Sequence, residues 1–170
     1  GPFGCSVPQA SRRRLALKIL HRRQYREEAM RERAIEERRV LKKARHPFIV
    51  RLFAAFRTPA KELALVMEFC PNGDLNDLLV RCGRPGLAEP CVRRMLAEVL
   101  LALLYLHEDL DVVFRDLKPD NVVFDAAMHA KLTDFGLAKA QVSRAGGASS
   151  FVGSALYVAP EVDPDGDAPY

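Results

Sequence analysis

FRDLKPDN, residues 114–121, follows the apolar pair Val112-Val113 and runs directly into Val122-Val123-Phe124. Two acids, two cations, an amide and a proline thus occupy a short break between two strand-like runs. Pro119, Asp120 and Asn121 are ordinary turn residues. A turn does not explain Asp116 and Lys118, because the break is too short to carry their polar groups far from the core. A polar loop held between buried strands is a common way for a scaffold to present reactive groups. A plain turn and a catalytic loop are both compatible with this stretch alone.

Working outward, residues 89–106 carry apolar side chains around the whole circumference of a helix, which predicts a buried one. Short strands are expected at 112–114, 122–124 and 130–132. Residues 140–170 are rich in Gly, Ser, Ala and Pro, with little periodicity. Upstream, Pro71-Asn72-Gly73 is a strong breaker and marks a boundary between two lobes. Asp74 is placed to cap a short helix through Val80. Residues 48–56 and 62–69 read as strands separated by a Thr58-Pro59 turn. Residues 24–43 lack Gly and Pro and are rich in Glu, Arg and Ala, so they read as a helix. Its apolar stripe (Met30, Ala34, Val40, Leu41) is thin. Residues 15–20, LALKIL, are apolar with one lysine in the middle. Strands with one helix, a breaker, then helices with short strands describe a two-lobed α+β arrangement. A cleft between lobes is a usual place for a ligand.

At 170 residues and 19.0 kDa, one domain is expected. A composition of 49% hydrophobic and 28% charged residues is that of a globular chain. The net charge of +4 comes largely from Arg12 to Arg14 and from the run between residues 22 and 45. There Glu27, Glu28, Glu32, Glu36 and Glu37 interleave with the bases, as on a solvated helix face, and argue against a nucleic-acid partner. Cys5, Cys70, Cys82 and Cys91 show no metal-ligand spacing and read as free thiols in a reducing compartment. The longest apolar run, residues 99–106, is too short to span a membrane, and no signal peptide is evident. A soluble protein of the cytoplasm or nucleus is expected.

LALKIL, FRDLKPDN, LTDFGLAK (132–139) and VAPE (158–161) occur in this order, and together they resemble the signature set of eukaryotic protein kinases. Asp116 and Asp134 are 18 positions apart and Lys18 and Glu37 are 19 apart. Both separations, with the wordings HPFIVRL and LTDFGLAK, are similar to those of the AGC group, typified by the cAMP-dependent kinase. The resemblance implies a kinase-like fold with an N-lobe at 1–68, a hinge at 69–73 and an incomplete C-lobe at 74–170. It implies transfer of the γ-phosphate of ATP, with Mg2+, to a serine or threonine of a protein substrate. Such chemistry needs cations, metal and a positioned nucleophile.

By this resemblance Asp116 is the base for the substrate hydroxyl, and Lys118 contacts the γ-phosphate in the serine/threonine manner. Asn121 and Asp134 hold magnesium, and hard oxygen ligands of this kind suit that ion. Lys18 reaches the α- and β-phosphates, held by Glu37. Ala16 and Val123 wall the adenine slot and Met67 closes its back. The backbone of Glu68 and Cys70 meets the base edge, and Asp74 takes a ribose hydroxyl. Gly1 and Gly4, in GPFGCSV, match the second half of the glycine-rich loop. Ser150 is the candidate regulatory phosphosite for an upstream kinase, with Ser149 as competitor and Arg115 and Arg33 as the phosphate's ligands.

The sequence departs from the family in several places. Phe114 stands where most kinases have His and the AGC group often Tyr, which preserves an aromatic. Only 14 positions separate Gly4 from Lys18, so the intervening hairpin is clipped. Ser154-Ala155-Leu156 differs from the usual wording and affects substrate docking. A kinase domain of this kind needs about 250 residues, near the upper end for one domain. The resemblance therefore implies a fragment lacking the arginine that pairs with Glu161 and the large buried helix on which the catalytic loop rests, with an apolar face of residues 89–106 left uncovered. The alternative is a truncated, catalytically inactive binding module.

Overall fold

The protein is described by a computed structural model over residues 14–21, 28–140 and 157. Strands β1 (Leu15–Leu20), β2 (Leu52–Arg57) and β3 (Leu63–Glu68) form an antiparallel sheet in the order β1-β3-β2. Along β1 the exposed positions are Leu15, Leu17 and Ile19, so Ala16, Lys18 and Leu20 share the other face. Register places Ala16 opposite Met67 and Lys18 opposite Leu65.

Helix α1 (Glu28–Lys43) follows, and its Val40 and Leu41 share one buried cluster with Leu65 and Met67 of β3. It buries Ala34, Glu37, Val40 and Leu41, the three-and-four spacing of one helix face. Met30, expected in this stripe, is 39% exposed, and Glu37 is buried there instead. Lys42 and Lys43 end the helix, where cations complement its dipole.

The strand expected over residues 48–56 begins only at Leu52. Its first part is bonded elsewhere: Val50 N–H donates to the Leu132 carbonyl at 3.0 Å, and Leu132 N–H donates to the Phe48 carbonyl at 2.9 Å. Those groups cannot also join β3. Ile49 makes a parallel bridge to Leu132, tying the loop after α1 to the second half of the chain.

Helix α2 (Leu75–Cys82) starts as expected at Asp74, whose Oδ1 accepts from Asp77 N–H at 2.8 Å. It runs two residues beyond Val80, and Gly83, at φ 57°, closes it with a hydrogen bond to the Leu79 carbonyl. Helix α3 (Glu89–Leu104) passes into a π-helical turn at Tyr105–Asp109. Burial all round, expected from the apolar spacing alone, fails here, and an apolar face is uncovered as the kinase resemblance implies. Met95, Glu98, Val99 and Ala102 are buried, while Leu96, Leu100, Leu101 and Leu104 are 50–57% exposed. Among the described residues, α3 packs mainly on one side, against β6.

Two short two-stranded sheets carry the polar segments. Strand β4 (Val112–Val113) pairs with β7 (Lys139–Ala140), and β5 (Val122–Phe124) with β6 (Ala130–Leu132), both antiparallel. Phe114 falls just outside β4, and β7 was not anticipated. The polar loop joins β4 to β5, with a 3-10 turn at Pro119–Asn121. Leu41, Leu65, Leu106, Phe124 and Leu132 are essentially inaccessible and join the three-stranded sheet, helices and the β5–β6 pair in one core.

Candidate active site

Lys18 extends from β1 towards α1, where its Nζ lies 2.6 Å from Glu37 Oε1 and 3.1 Å from Asp134 Oδ1. The helix face decides between adjacent acids: Glu37 is buried against Lys18, whereas Glu36 lies 3.7 Å from Arg39 on the same helix. Burial alone would lower the Lys18 pKa, but the carboxylates of Glu37 and Asp134 reverse this and leave it above the ordinary lysine value. Burial pushes the Glu37 carboxyl up, and Lys18 offsets part of that rise.

The second cluster lies within the loop. Asn121, buried, donates from Nδ2 to the Asp116 carbonyl at 2.8 Å and to Asp116 Oδ2 at 2.9 Å. Lys118 Nζ lies 2.9 Å from the same Oδ2. The hydrogen bond with Asp116 raises the Lys118 pKa, and the charges of Asp120 and Asp134 act in the same direction. Thr133 N–H donates to the Asn121 carbonyl at 3.0 Å, so the loop is fastened beside Asp134. Asp134 is half exposed and holds a left-handed backbone at φ 57°. Arg115, also left-handed at φ 63°, donates from Nε to the Leu137 carbonyl at 2.8 Å. Burial lowers the Arg115 pKa, and the nearby Arg33 charge adds to the effect.

The residues expected to form the adenine slot come from both halves of the chain. Ala16 and Met67 are register partners, and Met67 is buried. Val123, partly buried, forms a bridge with Asp74 that brings β5 against the start of α2. Glu68 N–H donates to the Arg51 carbonyl at 2.9 Å. Cys70 is partly buried, and burial pushes its thiol up to about 11. The expected sites Gly1, Gly4 and Ser150 lie outside the described residues.

The sequence pattern of the protein kinase domain matches residues 4–167. The chain belongs to the protein kinase family. It is 46% identical over 126 residues to ribosomal protein S6 kinase alpha-6 of Danio rerio, covering 74% of this chain and 16% of that protein. The human ribosomal protein S6 kinase alpha-6 gives 46% over 127 residues. Serine/threonine protein kinase OSK3 of Oryza sativa subsp. indica is 41% identical over 150 residues, 88% of this chain and 28% of that protein. The chain thus spans between a sixth and about a quarter of the length of these relatives.

In this kinase chain the side-chain oxygens of Asp134 and Asn121 are hard donors of the kind that magnesium takes. Two buried ionic residues escaped the sequence reading. Glu98 on α3 accepts from His129 Nδ1 and Ala130 N–H, both at 2.7 Å. Lys131, in the middle of β6, reaches the Pro47 carbonyl at 2.6 Å and Glu68 Oε1 at 3.2 Å. A charged residue in the centre of a three-residue strand between Ala130 and Leu132 was the available signal. No helix among the described residues is long and apolar enough to cross a membrane.

Proposed function

We propose that this chain carries the catalytic centre of an ATP-dependent serine/threonine protein kinase. The observation that carries the reading is Lys18 Nζ set between Glu37 and Asp134, at 2.6 and 3.1 Å, a cation held on two acids from separate parts of the chain. The lobes are assigned to residues 1–68 and 74–170, with 69–73 as hinge.

The base edge meets the Glu68 carbonyl and the Cys70 amide, with Ala16 and Val123 on its faces, Met67 behind it and Asp74 at the ribose. Lys18 neutralises the α- and β-phosphates and Lys118 the γ-phosphate; Gly1 and Gly4 belong to the loop over them. Asp134 and the Oδ1 of Asn121 would hold Mg2+, which when bound neutralises charge on the phosphates. Asp116 orients the substrate hydroxyl and receives its proton. The hydroxyl oxygen bonds to the γ-phosphorus while the bridging P–O bond breaks, and ADP leaves with the electron pair. A phosphate on Ser150, added by an upstream kinase, would be met by Arg115 and Arg33, whose mutual repulsion favours an anion between them. The partners are a protein with a serine or threonine acceptor and that activating kinase, in an ATP-rich cytoplasmic setting.

Calorimetric titration with ATP, with and without magnesium, followed by transfer to a serine peptide, tests this. Magnesium-dependent binding with transfer is expected. Binding without transfer would make the chain a nucleotide-binding module, and no binding by the folded chain would overturn the assignment.

A further inference from the structure

Among the described residues Lys131 is the one buried cation, with 8% of its surface exposed. Its ammonium donates to the Pro47 carbonyl at 2.6 Å and lies 3.2 Å from Glu68 Oε1. The other carboxylate oxygen, Glu68 Oε2, accepts from Arg51 N–H at 3.3 Å, and Glu68 N–H returns a bond to the Arg51 carbonyl at 2.9 Å. Within β6, Lys131 stands opposite Val123 of β5 and three positions before Asp134. Residues opposite each other in an antiparallel pair present their side chains to one face.

One side chain therefore joins three pieces: the loop that follows the Glu37 helix, the end of β3 where residues 69–73 begin, and the hairpin bearing Val123. The loop does not need Lys131 to reach β6, because Leu132 already exchanges main-chain hydrogen bonds with Phe48 and Val50. What Lys131 adds is Glu68. A buried ammonium with one carbonyl and one carboxylate has little to gain from moving, and removing either partner leaves a charge uncompensated.

We propose that Lys131 and Glu68 are a positioning pair that fixes the Glu68–Cys70 backbone against Val123 and so sets the spacing of the adenine slot. The pair touches neither phosphate nor acceptor, and its effect falls on the base. This rests on the ATP-site reading above.

The test uses Lys131→Met, which keeps an apolar stem of similar length, Glu68→Gln, which is nearly isosteric, and the double variant. Binding of adenosine and of magnesium-ATP is measured by calorimetry, with thermal unfolding in parallel and the steady-state kinetics of transfer. Each single variant is expected to weaken adenosine and ATP by a common factor of about tenfold, the scale of a coupled pair. The double variant is expected to be no weaker than the poorer single variant, and KM for ATP to rise by more than kcat falls. Adenosine binding unchanged in both single variants overturns the inference, as does ATP weakened with adenosine spared, or fully additive losses. If Lys131→Met fails to fold, Glu68→Gln alone decides by the same adenosine criterion. A wild-type chain that binds neither ligand refutes the ATP-site reading, and this inference with it; wild-type binding matched by all variants refutes this inference alone.

Discussion

Phe114 and Phe135 meet edge to face, with ring centroids 5.2 Å apart, and neither exposes more than 2% of its surface. Phe114 immediately precedes Arg115 and Asp116, and Phe135 immediately follows Asp134. One aromatic contact thus fixes both acid-bearing segments from behind. Truncating either ring opens a cavity in a part of the core that other side chains cannot easily refill. Phe114→Ala is expected to destabilise by about 3–5 kcal/mol, the range for buried aromatics. Denaturant titration checks this, and a loss well under 1 kcal/mol would show that the contact does not organise the loop.

Removing the Asp116 carboxylate is expected to separate binding from transfer. Asp116→Ala is expected to lower phosphoryl transfer by about 10²–10⁴-fold, the usual contribution of a positioned acid–base group. Magnesium-ATP affinity should change little. Single-turnover transfer and calorimetry on the same preparation give both numbers, and retained transfer would remove Asp116 from the mechanism.

The Lys18 position links activity to alkaline stability. Its pKa is raised in the folded chain, so its contribution is fully present below the ordinary lysine value of 10.5 and is lost as pH rises through the higher folded value. Lys18→Met should lack that component of alkaline destabilisation and should slow transfer by about 10²–10³-fold, as expected when one charged donor is removed. Unfolding midpoints from pH 9 upwards, compared between the two chains, test the first part. Parallel curves would mean that Lys18 gains no net stabilisation from Glu37 and Asp134. Glu37, raised by burial, works in the opposite part of the scale: it favours the folded state when protonated, and that advantage is lost as pH rises through its folded value.

Cys70 should be the slow thiol. Burial pushes it up to about 11, whereas Cys82 and Cys91 are exposed. At neutral pH iodoacetamide should modify Cys82 and Cys91 well before Cys70, because the thiolate is the nucleophile. ATP should slow Cys70 further if its backbone meets the base. Peptide mass spectrometry over time resolves Cys70, Cys82 and Cys91 among the four cysteines of the chain, and rapid Cys70 labelling that ATP leaves unchanged would move the base edge elsewhere.

The family and most of the order of elements were legible because they rest on motifs and breakers local in the sequence. Asp74 is an example: a cap residue after Pro-Asn-Gly predicts its helix without knowledge of anything distant. The misplaced start of β2 has a different cause. Nothing in HPFIVRL discloses that the main chain of Phe48 and Val50 is bonded to Leu132, more than 80 positions away. Lys131 and Glu98 were missed for the same reason, since their partners come from remote segments and only burial distinguishes them from surface charges. The one-sided exposure of α3 could not be read from composition, because apolar spacing around a helix says what could be buried and not what covers it.

Arg115 and Asp134 hold φ angles of 63° and 57°, in a region where side chains branched at Cβ are strongly disfavoured. Each position is therefore filtered twice, once by what its side chain does and once by the shape of its own backbone. In a saturating substitution library Val, Ile and Thr should be depleted at both positions even under selection for folding alone. Asn and Gly should pass that first selection and be lost only when phosphate transfer is demanded. The two screens together would separate stereochemical from chemical constraint at each of these residues.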